Sequence, residues 1–389
     1  MLVGAAYAAP ASAALISDNI RPYVQVAYLY DDNLLRLDDG QSRDGQRSDQ
    51  YRQSIAGIQI DQEIGRQVLS LDAHASRVAF DHFDEYDYTG KDARGLLTWQ
   101  LGNQVSGHAG ASYSQTLAPF ADFNNTNFVE RNLRVQRRAY VDANWLFHPR
   151  WQVHGGYTSE QFRYDLSFQR YNNRDDKTAE AGVDYLTPSG SRIGLVARRI
   201  KGEYPDGFLF GTLVSDDYTQ NEVKLNVYWR YSAITQLQLL VGRAKREHAV
   251  YGTRDQSGTN GRLVAYWNPT VKLKFTGAAW REFASVEGST INSSLNKGAS
   301  LDVSWEATSK TKLSGQMRKE NRDFNTINAA VVTDPHDSTT SAGLTLTYMP
   351  IPLAEIDVGL THSKRNGNFV VGSGNYKSNS VSISAQISF

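Results

Sequence analysis

Runs of strictly alternating polarity follow one another along this chain, and no stretch between them has helical period. The final run is the plainest. Val381, Ile383, Ala385, Ile387 and Phe389 hold the odd positions, while Ser382, Ser384, Gln386 and Ser388 hold the even ones. Side chains along a strand point to opposite faces in turn, so this strand has one apolar face and one small, polar face. The same period recurs at Val24/Val26/Tyr28, Leu69/Leu71/Ala73, Val141/Ala143/Trp145/Phe147, Val223/Leu225/Val227/Trp229, Val271/Leu273/Phe275, Leu344/Leu346/Tyr348 and Ile356/Val358/Leu360.

The pattern predicts about 18 strands, with 16 as the other count, each boundary good to roughly two to four residues. They fall near 21–30, 50–61, 66–81, 87–101, 104–116, 131–147, 151–164, 175–187, 191–203, 217–231, 234–247, 258–268, 271–284, 296–307, 311–324, 337–349, 353–366 and 376–389. The connectors are of two kinds, in alternation. Short turns carry breakers, as at Gly102-Asn103, His148-Pro149-Arg150, Asn268-Pro269-Thr270 and Met349-Pro350-Ile351-Pro352. Long connectors such as 31–49, 117–130, 204–216 and 367–375 are polar and rich in Asn, Asp and Gly. Sorting of loop length by parity belongs to an outer-membrane barrel, with short turns in the periplasm and long loops outside. A soluble sandwich has no reason for it.

Several apolar runs also end in an aromatic beside a short turn: Trp99, Phe147, Trp229, Trp267, Trp305, Tyr348 and Phe389. That placement predicts a girdle at the periplasmic interface. The expected fold is therefore all-β: one transmembrane antiparallel up-and-down β-barrel spanning residues 14–389, in the Gram-negative outer membrane. Residues 1–13, small and apolar and closing on an A-x-A site, read as the residue of a secretory signal peptide.

A mean hydropathy of −0.49 does not oppose this reading, because only alternate barrel residues meet lipid. Basic and acidic residues balance at 41 each, so no nucleic-acid partner is implied. The absence of cysteine excludes disulfides, thiol catalysis and Cys-metal sites.

The faces opposite the apolar runs are the candidate lumen lining. Along the first half they bear Asp72, His74, Tyr140, Asp142, Asn144, Gln152, His154, Glu180 and Asp184. Further on come Lys224, Arg230, Lys272, Lys274, Asp302, Glu306, Lys312, Arg318, Glu355 and Asp357. From Lys224 to Arg318 this face has a basic excess apart from Asp302 and Glu306, suited to an anionic sugar polymer. Cross-strand pairs that keep a wet interior polar explain the same residues. Barrels of 16–18 strands leave an aqueous channel, which makes transport the leading class.

No enzyme is expected. Acid- and His-bearing loops at Asp81-His82, Asp84, Glu85 and Asp87, and at Asp334, His336, Asp337 and Ser338, lack a framed nucleophile. Asp31-Asp32-Asn33 and Asp38-Asp39-Gly40 supply oxygen ligands without the spacing of a calcium loop, and turn chemistry accounts for them. No cofactor or metal is expected.

The first strand and loop, Tyr28-Leu29-Tyr30-Asp31-Asp32-Asn33-Leu34-Leu35-Arg36-Leu37, resemble the N-terminal signature of the EpsL-like β-barrel porins of exopolysaccharide operons. Asp31, Asn33 and Arg36 match its Asp-x-Asn-hydrophobic-x-Arg run. The resemblance implies an outer-membrane conduit exporting a polysaccharide, working with a periplasmic polysaccharide-export protein. The closing Phe389 is similar to the recognition signal of the barrel-assembly machinery. A general or nutrient porin is the alternative, with 117–130 as its constriction loop, and a non-conducting surface anchor is a third reading. Read from the residues alone, Asp31 and Asn33 cap the first loop and Arg36 pairs with a loop acid.

Overall fold

The computed structural model describes residues 19–120, 130–209, 212–213, 215–286, 291–326, 335–367 and 372–389. The segment 1–13, residues 121–129 of the expected constriction loop, and Asp334 lie outside them. Eighteen strands form one sheet, each hydrogen-bonded to two neighbours. In chain order the first nine are β1 (Ile20–Asp31), β2 (Asp49–Ile64), β3 (Gln67–Phe80), β4 (Tyr88–Leu101), β5 (Val105–Leu117), β6 (Leu133–His148), β7 (Trp151–Tyr164), β8 (Arg174–Leu186) and β9 (Arg192–Glu203). A two-residue ladder, β10 (Phe208–Leu209) with β11 (Thr212–Leu213), sits in the loop that follows. The second half comprises β12 (Tyr218–Arg230), β13 (Thr235–His248), β14 (Gln256–Trp267), β15 (Leu273–Ser285), β16 (Ile291–Glu306), β17 (Thr311–Thr326), β18 (His336–Ile351), β19 (Ala354–Asn366) and β20 (Tyr376–Ser388).

All pairings are antiparallel between chain neighbours, and β20 closes the ring on β1 with Val24 opposite Ile387 and Tyr28 opposite Ile383. On its other edge β20 pairs with β19, Val358 opposite Ile383. No barrel strand is left with a free edge, which removes the unpaired backbone groups that lipid could not satisfy.

Alternation decides which face meets lipid. Val24, Val26, Tyr28, Val141, Trp145, Leu195, Val223, Leu301, Leu346, Ile383 and Ile387 are all exposed large apolar residues on the outside. Ser382, Ser384, Gln386 and Ser388 alternate with them and point inward, as the sequence pattern requires. Phe147, Trp229, Trp267, Trp305, Tyr348 and Phe389 lie exposed at the short-turn end, forming the expected girdle.

Apolar packing inside is confined to small clusters. One lies beneath the first long loop, where Leu34, Leu35, Val78, Phe80, Phe83 and Tyr86 bury one another. A short 3-10 turn at Asp84–Tyr86 delivers Tyr86 to it. The acidic stretch around His82 is thus not a merely solvated loop. Fully buried Asp49 accepts hydrogen bonds from the backbone N–H groups of His82 (3.1 Å) and Phe83 (3.1 Å), tying β2 to that turn.

Two strand starts differ from expectation: β16 begins at Ile291, ahead of the expected 296, and β15 begins late. Val271 and Lys272 belong to the turn before β15, which begins at Leu273. Pro269 ends the run and leaves too few residues to reverse direction unless both are spent in the turn. Val271 is accordingly 89% exposed.

Candidate functional site

The candidate site is the inner face of the barrel wall, where charged side chains join into two contrasting districts. Strands β8 to β19 carry arginines and carboxylates. Glu222 is the hub of the first network: it accepts from Gln220 (2.7 Å) and Asn260 (2.8 Å), and pairs with Lys224 (2.7 Å) and Arg198 (3.5 Å). Arg198 also holds Glu180 of β8 at 2.9 Å. Above, Arg246 donates to Gln220 at 2.8 Å and lies 4.1 Å over the Tyr218 ring. Register explains the convergence, since Glu222 stands opposite Arg198 on one side and Ala244 on the other. The small Ala244 leaves room for Asn260 to reach across from β14.

A second network centres on Trp280 of β15. Its ring is covered by Arg262 (5.1 Å) and Arg318 (4.3 Å), and its indole N–H donates to Glu320 at 2.8 Å. Arg262 pairs with Glu282 at 2.6 Å and Arg318 with Glu320 at 2.7 Å. The indole lies flat over Gly298 on the next strand, where an added Cβ would come within 2.4 Å of it. Gly202 serves Tyr218 in the same way, with a would-be contact of 2.0 Å. Nearer the loops, Asp337 joins Arg322, Arg365 and Ser373.

Strands β1 to β8 add imidazoles and amides to the acids, alongside Arg94 opposite Asp72 and Arg138 over the Tyr140 ring. His74 sits between Asp72 (3.4 Å) and Asp92 (3.5 Å), with the Tyr23 hydroxyl 3.4 Å from Asp72. His108 contacts Asp142 at 3.0 Å, Gln152 donates to Asn144 at 3.0 Å, and His154 contacts the fully buried Asp184 at 2.9 Å.

Of the residues expected in the lumen, Lys224, Arg318, Asp142, Glu180 and Asp184 face inward and enter these networks. Lys274 pairs with Glu306 at 3.3 Å, Lys312 faces Glu306 across the β16–β17 ladder, and Asp302 stands opposite Gln316. Arg230 ends β12 at the short-turn rim. Lys272 lies in the turn before β15, at the short-turn rim, where its carbonyl accepts from the Glu306 backbone N–H at 2.8 Å. The expected basic stripe is also corrected: besides Asp302 and Glu306, Glu222, Glu282 and Glu320 place carboxylates beside its cations. Glu222, Arg198, Arg246, Asn260, Trp280 and Arg262 were missed, although simple parity from Lys224 and Lys274 would have found Glu222, Trp280 and Glu282.

The motif residues of the first loop are spent on structure. Asp31, 5% exposed, accepts from the Asn33 backbone N–H (2.8 Å) and pairs with Arg36 at 2.9 Å. Asn33 exchanges bonds with the Leu37 backbone and donates to the Lys377 carbonyl on β20 at 2.9 Å. Asp39 is pulled below its ordinary range by Lys377, then Arg47. Among the described residues no group of three or more His, Cys, Asp or Glu is arranged to hold a metal.

A closed wall with an apolar exterior, an aromatic rim and a charged interior has one setting. This is an outer-membrane β-barrel. No family model matches the chain, and no curated protein matches it. The EpsL-like resemblance therefore rests on its loop motif alone. Solved structures that resemble it include OccAB3 of Acinetobacter baumannii, 12% identical over 96% of this chain and 100% of that one, with a TM-score of 0.47. OccK2 (OpdF) of Pseudomonas aeruginosa is 10% identical over 95% and 98%, TM-score 0.49. The ferric enterobactin receptor PfeA of the same organism is 10% identical over 95% and 81%, TM-score 0.47. These values add nothing to what the strand ladder itself establishes.

Proposed function

We propose that this barrel is a porin-type conduit for small charged or zwitterionic solutes. The observation that carries the reading is the inner wall, which presents paired charges of both signs in an 18-stranded ring. Rings of this size enclose an aqueous channel. Arginine–carboxylate pairs along the wall offer a passing solute exchangeable partners for either of its charges, and no single deep site to trap it.

Export of a polysaccharide draws no residue-level support from the first loop, because Asp31, Asn33 and Arg36 are engaged in the seam. The two readings separate by experiment. Purified barrel in a planar bilayer should give stepwise conductance, and proteoliposomes should swell in amino acids or small organic acids. Deleting the gene should leave surface polysaccharide intact. Absence of conductance would instead favour a closed anchoring barrel, and loss of secreted polymer would restore the export reading.

A further inference from the structure

The outer wall carries a second pattern, independent of the lumen. Going up from the girdle, the first outward charge is basic on one strand after another: Lys91 on β4, Arg137 on β6, Arg199 on β9, Arg243 on β13, Lys297 on β16 and Lys319 on β17. The short-turn rim has aromatics at the corresponding place. A cationic collar at one interface only is what an anionic leaflet selects.

At β8–β14 the collar becomes a groove of about 680 Å³. Its floor is made of small outward residues, Ala179, Ala181 and Ala197, with Ser257 at the far edge. Over those alanines the wall is recessed below the level set by the exposed Val183 and Leu195, and Val223 lines its side. Arg199 and Lys245 both stand opposite Asn221, one on each flank, and Arg243 is the next outward residue below Lys245. Two strand spacings separate Arg199 from Lys245, roughly 10 Å between backbones. Side chains of their length converge over Asn221 from that distance. Lys245 contacts Glu247 at 2.6 Å, whereas Arg199 and Arg243 have no ion-pair partner among the described residues.

We propose that this groove binds a phosphorylated lipid of the outer leaflet, with a phosphate held by Arg199, Arg243 and Lys245 and an acyl chain laid along the alanine floor. Charge and shape together point to this occupant. Guanidinium groups match phosphate in a bidentate fork, and the recess continues downward into the lipid-facing belt, where a soluble anion has no business. A protein partner is disfavoured by the same continuity, since the lower half of the groove lies at membrane depth.

The test uses the full barrel in detergent, native mass spectrometry, and three probes: lipopolysaccharide, the same lipid enzymatically dephosphorylated, and inorganic phosphate. The wild type should retain lipopolysaccharide, and the triple variant Arg199→Ala/Arg243→Ala/Lys245→Ala should bind it roughly a hundredfold more weakly. All three positions are exposed, so heat-modifiable mobility should not change. Should the triple variant misfold, Arg243→Gln alone should still lower retention about fivefold to tenfold. Dephosphorylated lipid should bind both proteins weakly. Equal retention of lipopolysaccharide by wild type and variant would overturn the proposal, as would inorganic phosphate displacing it at equal occupancy, which would mark an ion site without a lipid.

Discussion

Ser378 donates a hydrogen bond to Asp31 at 2.8 Å, joining two residues 347 apart in sequence at the seam where the barrel closes. Asp31 is already held by Arg36, and Asn33 of the same loop grips the β20 backbone. The first loop is therefore a clasp, built so that the last strand can be fixed against the first. Arg36 adopts a left-handed backbone with φ of 58°, a conformation that only the surrounding bonds make acceptable to a non-glycine residue.

Asp31→Ala should remove that clasp. It leaves Arg36 with only the Asn33 carbonyl and the Tyr376 ring and frees the Ser378 hydroxyl, at a cost of about 2 kcal/mol. The urea midpoint for loss of the folded, heat-modifiable band should drop, while Gln41→Ala, at an exposed position of the same loop, should shift it far less. Equal effects would mean the seam is held by its backbone ladder alone.

Lipid exposure makes a sharper contrast on β20. Ile383 is 51% exposed on the outer face and its neighbour Ser384 points inward. Ile383→Arg should destabilise the barrel by about 2–4 kcal/mol if it lies near the midplane. Ser384→Arg should leave equilibrium unfolding in lipid vesicles nearly unchanged, because the lumen accepts a charge. Reversal of that order would place the wrong face against lipid.

How much of this was legible beforehand follows from what a period of two encodes. Facing, strand number and girdle are written locally: Val381 to Phe389 declare their face without reference to any other strand. Closure too could be inferred, since an unpaired edge is untenable in lipid. Pairing partners inside the lumen could not. Glu222 meets Asn260 only because register sets Glu222 beside Ala244, and register depends on turn lengths that sequence gives to within a residue or two. Lys272 was misplaced for the same reason, the turn after Pro269 being longer than its breaker. Trp280 was overlooked because an inward aromatic in a polar wall makes sense only once Arg262, Arg318 and Gly298 surround it.

Acid should loosen one external loop before it touches the wall. Asp216, in the segment leading to β12, is buried, which by itself would raise its carboxyl. The His248 ring nitrogen 3.2 Å away and the Arg254 guanidinium at 2.7 Å outweigh burial and hold it at about 2, below the ordinary 3.8. A carboxyl lowered in the folded state stabilises above its unfolded value and loses that contribution as pH falls through the folded one. The window is therefore pH 4 to 2, and the loss about 2 kcal/mol. Val250 and Tyr251 donate their N–H groups to Asp216 at 3.3 and 3.2 Å. Their amide exchange, corrected for intrinsic rate, should accelerate across that window relative to β12 and β13. Asp216→Asn should abolish the step.

The lumen network around Glu222 offers the decisive test of conduction through this wall. Glu222→Gln keeps the shape and the bonds with Gln220 and Asn260 while deleting one negative charge beside Lys224 and Arg198. In a salt gradient across a planar bilayer, the reversal potential should move toward anion selectivity. Lys224→Met deletes the neighbouring positive charge at similar length and should move it toward cations. Both side chains are nearly fully covered by their neighbours, so either variant also loosens packing, and conductance alone is ambiguous. The sign of the shift is not. Packing damage has no polarity, whereas opposite shifts from two residues 2.7 Å apart can arise only if permeating ions feel the charge at that point of the wall.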